Sequence, residues 1–244
     1  MNISGSVALV TGANRGIGRT MVEAFVGKGA RKIYAGARNV ATLQDLTTAH
    51  PGVVESIELD ITDHFAVARA ATACQDVDLL INNAGISHVA GLIAAKTLDN
   101  ARAEMETNYF GTLAMCRSFA PILRSNGGGC IVNVLSVLSQ VILPVIGSYC
   151  ASKAAALRLT EGVRAELAAQ NTTVIAVMPG AVDTEMTKDF QIPKMLPKEV
   201  AQAVMAAIET GTEEIYPGDE ALRLSQGLAT DPKAVEKAQA VYVP

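Results

Sequence analysis

Short β-rich runs alternate with helical stretches along almost the whole chain, and this alternation most constrains the fold. Runs rich in Val, Ile and Leu are each followed by a segment with apolar residues at helical spacing. Strands are predicted over residues 7–10, 32–37, 53–60, 78–85, 127–136, 172–180 and 213–218. Such alternation forms βαβ units with right-handed crossovers. The sequence therefore predicts an α/β protein with a doubly wound parallel sheet of about seven strands and helices on both faces.

A single domain over residues 1–244 is expected, because the sequence contains no linker, charge run or low-complexity segment. Hydrophobic residues make up 50% of the chain and aromatic residues only 4%. This aliphatic composition suits a parallel sheet that is covered by helices. A substrate loop is expected at about 184–197 and a C-terminal tail at 219–244.

Several classes of partner are unexpected. A net charge of −4 argues against nucleic acid. The four cysteines form no CxxC pair and the three histidines have no metal-ligand spacing, so no metal is predicted. No segment approaches the roughly 18 apolar residues of a membrane span, and the first residues fit a strand better than a signal peptide. A cytoplasmic protein with reduced thiols is expected.

The first predicted strand is followed by a glycine-rich turn, TGANRGIG, at residues 11–18. Gly12, Gly16 and Gly18 would let the backbone approach a ligand, and the following helix would present its N-terminus to a phosphate. The GxxxGxG spacing differs from both the GxGxxG fingerprint and the P-loop. A tight structural turn is therefore the alternative, but the position after the first strand favours a Rossmann-type dinucleotide site.

The residues at the end of the second strand favour a cofactor whose adenosine ribose carries a phosphate. No Asp or Glu lies between Glu23 and Asp45, where an NAD site would place its ribose-binding acid. Arg38 follows the strand instead, and Arg15 lies inside the glycine turn. Two guanidinium groups suit a 2′-phosphate, so NADP(H) is predicted over NAD(H). The alternative is that Arg38 is a solvated surface residue.

Two further strand ends carry candidate cofactor contacts. Asp60 closes the third strand, where its carboxylate can accept from an adenine amino group with Ile61 beside the ring. The fourth strand ends in NNAG, in which the side chains of Asn82 and Asn83 can tie neighbouring strands together while backbone groups, with Ala84 and Gly85, approach a ligand. By itself NNAG also fits an ordinary turn.

A tyrosine and a lysine lie four residues apart in SYCASKA, at positions 149 and 153. On a helix this spacing puts Tyr149 and Lys153 on one face. The ammonium is expected to lower the pKa of the phenol, which could then donate a proton to a carbonyl oxygen. Ser136, at the end of the fifth strand, could hold that oxygen, and small neighbours would let a cofactor lie close.

The combined motifs resemble the short-chain dehydrogenase/reductase family in its compact single-domain branch. They occur in the family's order and spacing, with Ser136 thirteen residues before Tyr149, and they cover about residues 5–184. The matching segments are TGANRGIG (11–18), Asp60, NNAG (82–85), Asn108 in ETNYFG, Ser136 in NVLS, YCASK (149–153) and PGAVDT (179–184).

The resemblance implies roles. Tyr149 is the catalytic acid/base, Lys153 lowers its pKa and binds the nicotinamide ribose, and Ser136 positions the carbonyl, with Ser139 as an alternative. Asn108 helps to hold a water in a proton relay. The cofactor-binding residues, from the strand ends and the resemblance together, are Gly12, Asn14, Arg15, Gly16, Ile17, Gly18, Arg38, Asp60, Ile61, Asn82, Ala84, Gly85, Tyr149, Lys153, Pro179, Gly180, Val182 and Thr184.

A mostly apolar substrate pocket is expected, because the substrate loop and the segment after Ser136 offer little fixed polarity. Some of these side chains could instead pack in the core, and His88 fits a surface loop better than the pocket edge. The apolar candidates are Val137, Leu138, Val141, Ile142, Leu143, Val145, Met186, Phe190, Ile192, Met195 and Leu196.

The resulting hypothesis is an NADPH-dependent carbonyl reductase, reversible as an alcohol dehydrogenase, acting on a fairly apolar ketone or aldehyde. The alternatives are a 3-oxoacyl carrier-protein reductase and a non-catalytic NADPH-sensing protein. Many family members carry a VDGG-like turn after the seventh strand, whereas this chain has EEIYPGDEA. The resemblance implies a homo-oligomer, a dimer or a tetramer. Because the region of that turn often forms the tetramer interface in the family, the departure argues against the tetramer and leaves a dimer or a monomer as the alternatives.

Overall fold

One parallel sheet organises the molecule, which is described over Met1–Pro244 by a computed structural model. All neighbouring strands are parallel, in the order β3-β2-β1-β4-β5-β6-β7, so the predicted seven-stranded doubly wound sheet is confirmed. The strands are β1 (Val7–Thr11), β2 (Lys32–Ala37), β3 (Val54–Glu58), β4 (Leu79–Asn82), β5 (Gly129–Val134), β6 (Thr172–Val177) and β7 (Glu214–Ile215).

Helices cover both faces of the sheet. They are α1 (Gly16–Gly27), α2 (Gln44–Ala49), α3 (His64–Ala73), α4 (Asp99–Met105), α5 (Thr112–Ser125), α6 (Gly147–Leu167), α7 (Pro197–Thr210), α8 (Asp219–Thr230) and α9 (Pro232–Gln239). On one face, α1 and α7 bury residues such as Phe25 and Val204 against the strands. On the other, α3, α5 and α6 bury residues such as Val67, Phe119 and Leu159. Alternate side chains of each strand therefore enter two separate cores.

Two elements differ from their predicted form. The helix expected over 98–125 is divided by a π-helical turn, Glu106–Gly111, that separates α4 from α5. The seventh strand is only two residues long, against a predicted range of 213–218. Pro217 has no N–H group for the ladder and Gly218 has a φ of 94°, so regular extended pairing stops there.

The C-terminal tail is helical through α8 and α9, and its last residues then return to the main body. The Val145 N–H group donates a 2.9 Å hydrogen bond to the Tyr242 carbonyl. Pro244 lies against Gly91, in the loop after β4. The end of the chain therefore touches two of the loops at the carboxyl edge of the sheet. None of the helices combines the length and apolar character that crossing a membrane requires.

Candidate active site

A cleft of about 320 Å³ opens at the carboxyl edge of the sheet, where ligands of such sheets bind. The structure brings most of the residues predicted for the cofactor and the reaction into this one cleft. Those that line it are Gly12, Asn14, Arg15, Gly16, Ile17, Arg38, Asp60, Ile61, Ala84, Gly85, Ser136, Tyr149, Lys153, Pro179, Gly180, Val182 and Thr184.

The glycine turn has the shape of a phosphate cradle. Gly12 and Gly16 have φ values of 64° and 53°, in the left-handed region. A Cβ atom on Gly12 would lie 3.1 Å from the Cα atom of Ala84, so only glycine leaves this approach open. Arg15, the N-cap of α1, offers no side-chain cap to the helix N–H groups. Their positive end is therefore free to bind a phosphate oxygen, and the turn fits a dinucleotide.

Asn83 holds the cradle against β4, which is the role predicted for the NNAG amides, although Asn83 was not predicted as a cofactor-binding residue. Its side-chain amide donates to the carbonyls of Thr11 and Gly12 at 2.9 and 3.2 Å. In return the Thr11 hydroxyl accepts the N–H groups of Asn83 and Ala84 at 2.9 and 3.0 Å. The sequence signal for this role is the position of Asn83 directly after β4. Because β4 pairs with β1, a side chain at this position lies next to the glycine turn that follows β1.

Three predicted site residues lie beneath the cleft and do not line it: Gly18, Asn82 and Asn108. A Cβ atom on Gly18 would lie 2.3 Å from the Gly12 carbonyl oxygen, so this glycine allows α1 to pack on the turn. The Asn82 side-chain amide donates a 2.9 Å hydrogen bond to the side-chain oxygen of buried Asn133. The expectation that Gly18 and Asn82 touch the cofactor is therefore corrected, since both support the turn and strand ends from below.

Arg15 and Arg38 are exposed, line the cleft and form no ion pair within the protein. The next acid along the chain, Asp45, is engaged elsewhere, because Arg19 pairs with it at 2.7 Å. This bond lowers the pKa of the Asp45 carboxyl below its usual value. Neither guanidinium group forms an ion pair, although Glu185, which also lines the cleft, is near enough to Arg15 for the Arg15 charge to contribute to a lowered pKa of its carboxyl, after the larger effect of Lys188.

Asp60 is half-buried at the cleft wall, and one of its oxygens is already engaged. That oxygen accepts the N–H and the hydroxyl of Thr62 at 2.9 and 2.8 Å. These bonds orient the carboxylate and leave its second oxygen for a ligand. Ile61 is buried behind it and lies against Gly111 of the π-helical turn.

The candidate proton donor of the cleft is the phenol of Tyr149, which is 9% exposed. Ser136 lies beside it, and the Ser136 hydroxyl accepts the Leu138 N–H at 3.1 Å, which fixes its position. Ser139, the alternative serine, is outside this cleft and its buried hydroxyl has no hydrogen-bond partner. The geometry therefore favours Ser136 as the hydroxyl that meets a substrate oxygen.

Burial dominates the ionisation of both catalytic candidates on α6. It raises the pKa of Tyr149 above its usual value, with a smaller opposing effect from Ser136. Burial also lowers the pKa of Lys153 to about 8. The Lys153 ammonium donates a 3.0 Å hydrogen bond to the Val134 carbonyl, and it lies 5.8 Å from the centre of the Tyr149 ring. The expected lowering of the phenol pKa by Lys153 is thus not present in the protein alone, because desolvation is the larger effect.

Asn108 connects the π-helical turn to α6 and to the loop after β4. Its side-chain oxygen accepts the Ile86 N–H at 2.9 Å, and its amide donates to the Ile86 carbonyl and the Ser152 hydroxyl, both at 2.9 Å. All three polar positions of this buried side chain are therefore in use. Such a residue fixes the loop after β4 at Ile86, which lines the cleft.

Apolar side chains surround the outer side of Tyr149. Leu138, Ile142, Leu143, Val145 and Phe190 pack on the small cluster that Tyr149 forms with Ile146 and Cys150. They form an apolar cluster beside Tyr149 and do not line the cleft itself.

Other candidates for the pocket have different places. Val137 and Val141 pack in a separate cluster with Ala221 and Leu224 of α8. Met195 pairs with Val182 at the base of the substrate loop. Met186 lines the cleft, whereas Ile192 and Leu196 are exposed. Only part of the predicted apolar set therefore lies beside Tyr149, and of the whole set only Met186 lines the cleft.

The fold and the cleft together define a class. A glycine turn at a helix N-terminus, at the carboxyl edge of a doubly wound sheet, binds a dinucleotide. A buried phenol with a serine and a lysine beside it offers a proton donor at the other end of the same cleft. This arrangement is that of a nicotinamide-dependent oxidoreductase.

Comparison with known proteins gives the family. Residues 6–194 match the family model described as short chain dehydrogenase. Dehydrogenase/reductase SDR family member 7B of Mus musculus is 33% identical over 218 residues, covering 83% of this chain and 67% of that protein. The chain belongs to the short-chain dehydrogenase/reductase family. It is an oxidoreductase that uses NAD(P)(H) and acts on CH–OH or C=O groups of small molecules.

Solved structures agree with this assignment. A short chain dehydrogenase from Burkholderia cenocepacia J2315, in complex with NADP, is 50% identical, and the match covers 98% of this chain and 99% of that chain with a TM-score of 0.93. A short-chain dehydrogenase from Sphingobium yanoikuyae, in complex with NADPH, is 27% identical, with 93% and 95% covered and a TM-score of 0.79.

Proposed function

We propose that this protein is an NADPH-dependent carbonyl reductase that also runs in reverse as an alcohol dehydrogenase. The observation that carries the proposal is the position of Tyr149, a buried phenol with Ser136 beside it and an apolar ring around its outer side. A carbonyl whose oxygen meets both hydroxyl groups would place its substituents among these apolar side chains.

The preference for NADPH rests on Arg15 and Arg38. Both line the adenosine half of the cleft, and neither is paired with a carboxylate of the protein. A guanidinium fork binds a phosphate through charge-assisted hydrogen bonds. The relative from Burkholderia cenocepacia, half identical to this chain, was solved with NADP, which supports the same choice here.

The chemistry divides between the cofactor and the chain. A bound nicotinamide supplies the hydride to the carbonyl carbon. Tyr149 donates its phenolic proton to the carbonyl oxygen, and Ser136 donates a hydrogen bond that stabilises the charge developing there. Lys153 holds the nicotinamide ribose, and Asn108 keeps the Ile86 backbone in place over the reactive end. Because Tyr149 is desolvated, its proton stays in place until a substrate oxygen accepts it.

The substrate class follows from the side chains around Tyr149. Phe190, Leu143 and Val145 offer apolar area and no fixed charge to a bound molecule. Neutral ketones or aldehydes with bulky apolar or aromatic substituents fit this surface better than sugars or carboxylates do. A 3-oxoacyl carrier protein would need a dense basic docking surface, but Lys188 is paired with Glu185 and only Lys194 and Lys198 remain nearby.

The setting of the enzyme is also part of the proposal. The four cysteines form no disulfide, which suits the reducing cytoplasm.

Assembly into a dimer or tetramer would cover apolar side chains such as Val241 and Val243, which are more than half exposed. Light scattering on the purified protein distinguishes these states from a monomer.

The apolar pocket is tested with Phe190→Ala and a series of ketones of increasing apolar bulk. We expect kcat/KM to fall about 10-fold or more for aryl ketones, because a full aromatic contact is lost, and little for small polar ketones. Ile192→Ala is the matched control, since Ile192 lies in the same loop and is 48% exposed. An equal loss on all ketones, or none, would contradict the assigned pocket.

A further inference from the structure

The segment PGAVDT (179–184) runs along the cleft from the Ser136 end to the phosphate cradle. The carbonyl of its first residue accepts a 3.0 Å hydrogen bond from the N–H group of Val137, which directly follows Ser136. At its other end, the Thr184 side chain would lie 3.2 Å from a Cβ atom on Gly16, in the glycine turn. Four of its six residues line the cleft. Because the phosphates of a dinucleotide bind at the glycine turn and its nicotinamide must reach the substrate carbonyl, the nicotinamide half would lie along this segment.

Glu220, an exposed residue in the first turn of α8, contacts the backbone of the PGAVDT segment directly. One of its carboxylate oxygens accepts the Ala181 N–H at 3.0 Å. The same oxygen would lie 2.9 Å from a Cβ atom on Gly180, so the carboxylate rests on this glycine. The Gly180 N–H group donates a 3.2 Å hydrogen bond to the Pro217 carbonyl, in the turn before α8. The start of α8 therefore supplies partners for two successive N–H groups of the segment.

Met195 holds the same segment from the substrate loop, independently of Glu220. Its N–H group donates a 2.9 Å hydrogen bond to the Ala181 carbonyl, and its carbonyl accepts the Asp183 N–H at 2.9 Å. Both backbone polar groups of Ala181 are therefore engaged, one by a side chain and the other by backbone. A substitution of Glu220 would remove the side-chain partner alone and leave the backbone attachments in place.

The helix that carries Glu220 also packs against the residue that follows Ser136. Val137 belongs to a small buried cluster with Ala221 and Leu224 of α8. This helix thus contacts both the PGAVDT segment and the turn after Ser136. Glu220 is the one residue of α8 whose side chain forms a hydrogen bond with the PGAVDT segment.

We propose that Glu220 is a positioning residue for the nicotinamide half of the cofactor: its carboxylate holds the Ala181 N–H group and keeps Gly180 at the wall of the cleft. Without this acceptor the Ala181 N–H group would turn to water, and backbone bonds alone would hold the wall. A less fixed wall places the nicotinamide less precisely against a substrate carbonyl, which slows hydride transfer. The adenosine half, assigned above to Arg15 and Arg38, should bind as before. The consequence for ketone reduction rests on the proposed function, whereas the effect on cofactor binding rests only on the dinucleotide site.

The binding test compares two ligands that share the adenosine half. NADPH contains the nicotinamide, whereas adenosine 2′,5′-bisphosphate lacks it. In Glu220→Ala we expect the dissociation constant for NADPH to rise about 3- to 10-fold and that for the bisphosphate to change less than about twofold. Glu220→Gln retains an acceptor oxygen and should restore the wild-type affinity. Asp219→Ala is the control, because Asp219 is an exposed acid in the same first turn of α8.

Kinetics give a second readout. With NADPH deuterated at the transferred position, Glu220→Ala should show a kcat about 10-fold lower and a larger isotope effect than the wild type, because hydride transfer becomes the slow step. Unchanged NADPH affinity in Glu220→Ala overturns the inference. An equal loss of affinity for both ligands also overturns it, since that result indicates a general loss of structure. A selective loss for NADPH, together with no turnover of any ketone by the wild type, overturns the proposed function and leaves the role of Glu220 in place.

Discussion

Asn108 donates a 2.9 Å hydrogen bond to the hydroxyl of Ser152, the residue directly before Lys153. This bond connects the π-helical turn, Glu106–Gly111, to the helix that carries the catalytic candidates. π-Helical turns are rare and are frequent at functional sites. Here the turn lets one buried amide bind Ser152 and both backbone groups of Ile86, so the loop and the helix are held as one unit.

Loss of the phenol should abolish turnover while the cofactor still binds. In Tyr149→Phe the proton donor is gone but the ring remains, so we expect kcat to fall by about 10²–10⁴-fold. The dissociation constant for NADPH, measured by fluorescence titration, should change less than about threefold. Tyr242→Phe is the control, since Tyr242 is 55% exposed. Substantial retained activity would contradict the role of Tyr149.

Reversal of one charge should change the cofactor preference. Arg38→Glu replaces a phosphate-binding group with an acid that can accept a ribose 2′-hydroxyl. We expect the ratio of kcat/KM for NADPH over NADH to fall by about 10- to 100-fold. Arg31→Glu, an exposed site outside the cleft, should leave this ratio unchanged. An unaltered preference in Arg38→Glu would remove Arg38 from the cofactor site.

A methyl group at Gly18 should disturb the phosphate cradle from below. In Gly18→Ala the new Cβ atom would lie 2.3 Å from the Gly12 carbonyl oxygen and 2.5 Å from the Asn83 amide nitrogen. We expect a loss of about 1–3 kcal/mol in the free energy of unfolding and weaker NADPH binding. Gly162→Ala, in an open position of α6, should instead gain about 0.5–1 kcal/mol. Denaturant melts and NADPH titration that show no difference between the two variants would refute this packing.

Lys153 should give the protein a stability that depends on pH. Its pKa is lowered from 10.5 to about 8 in the folded protein, so the unfolded chain binds more protons between these values. The free energy of unfolding of the wild type relative to Lys153→Met should therefore rise with pH from about 8 to 10.5, by up to about 3 kcal/mol. Lys198→Met, at an exposed position, should show no such slope. A flat or falling difference in urea melts would show that the ammonium is not desolvated.

Much of the fold could be predicted from periodicity and turn residues. The second strand was predicted at its observed bounds, Lys32–Ala37, and the sheet is parallel as the alternation required. The glycine turn and Tyr149 were also found at the carboxyl edge where ligands bind. These features depend on local residue patterns and on general rules of chain connection.

What could not be predicted depends on contacts between distant segments. Local helical spacing gave no sign of the π-helical turn. The bond between Asn108 and Ser152 that accompanies the turn joins residues 44 positions apart, which a local pattern does not reveal. The apolar residues Val137 and Phe190 looked equivalent, yet one packs under α8 and the other beside Tyr149. The ionisation of Lys153 depends on burial, which the spacing of two residues does not reveal.

The central claim is tested most directly by initial rates of NADPH and NADH oxidation across a panel of ketones and aldehydes. We expect turnover with NADPH, at least about 10-fold lower kcat/KM with NADH, and the highest values for bulky apolar ketones. Tight NADPH binding without turnover of any carbonyl in the panel would contradict the reductase assignment, and equal rates with both cofactors would contradict the role of Arg15 and Arg38.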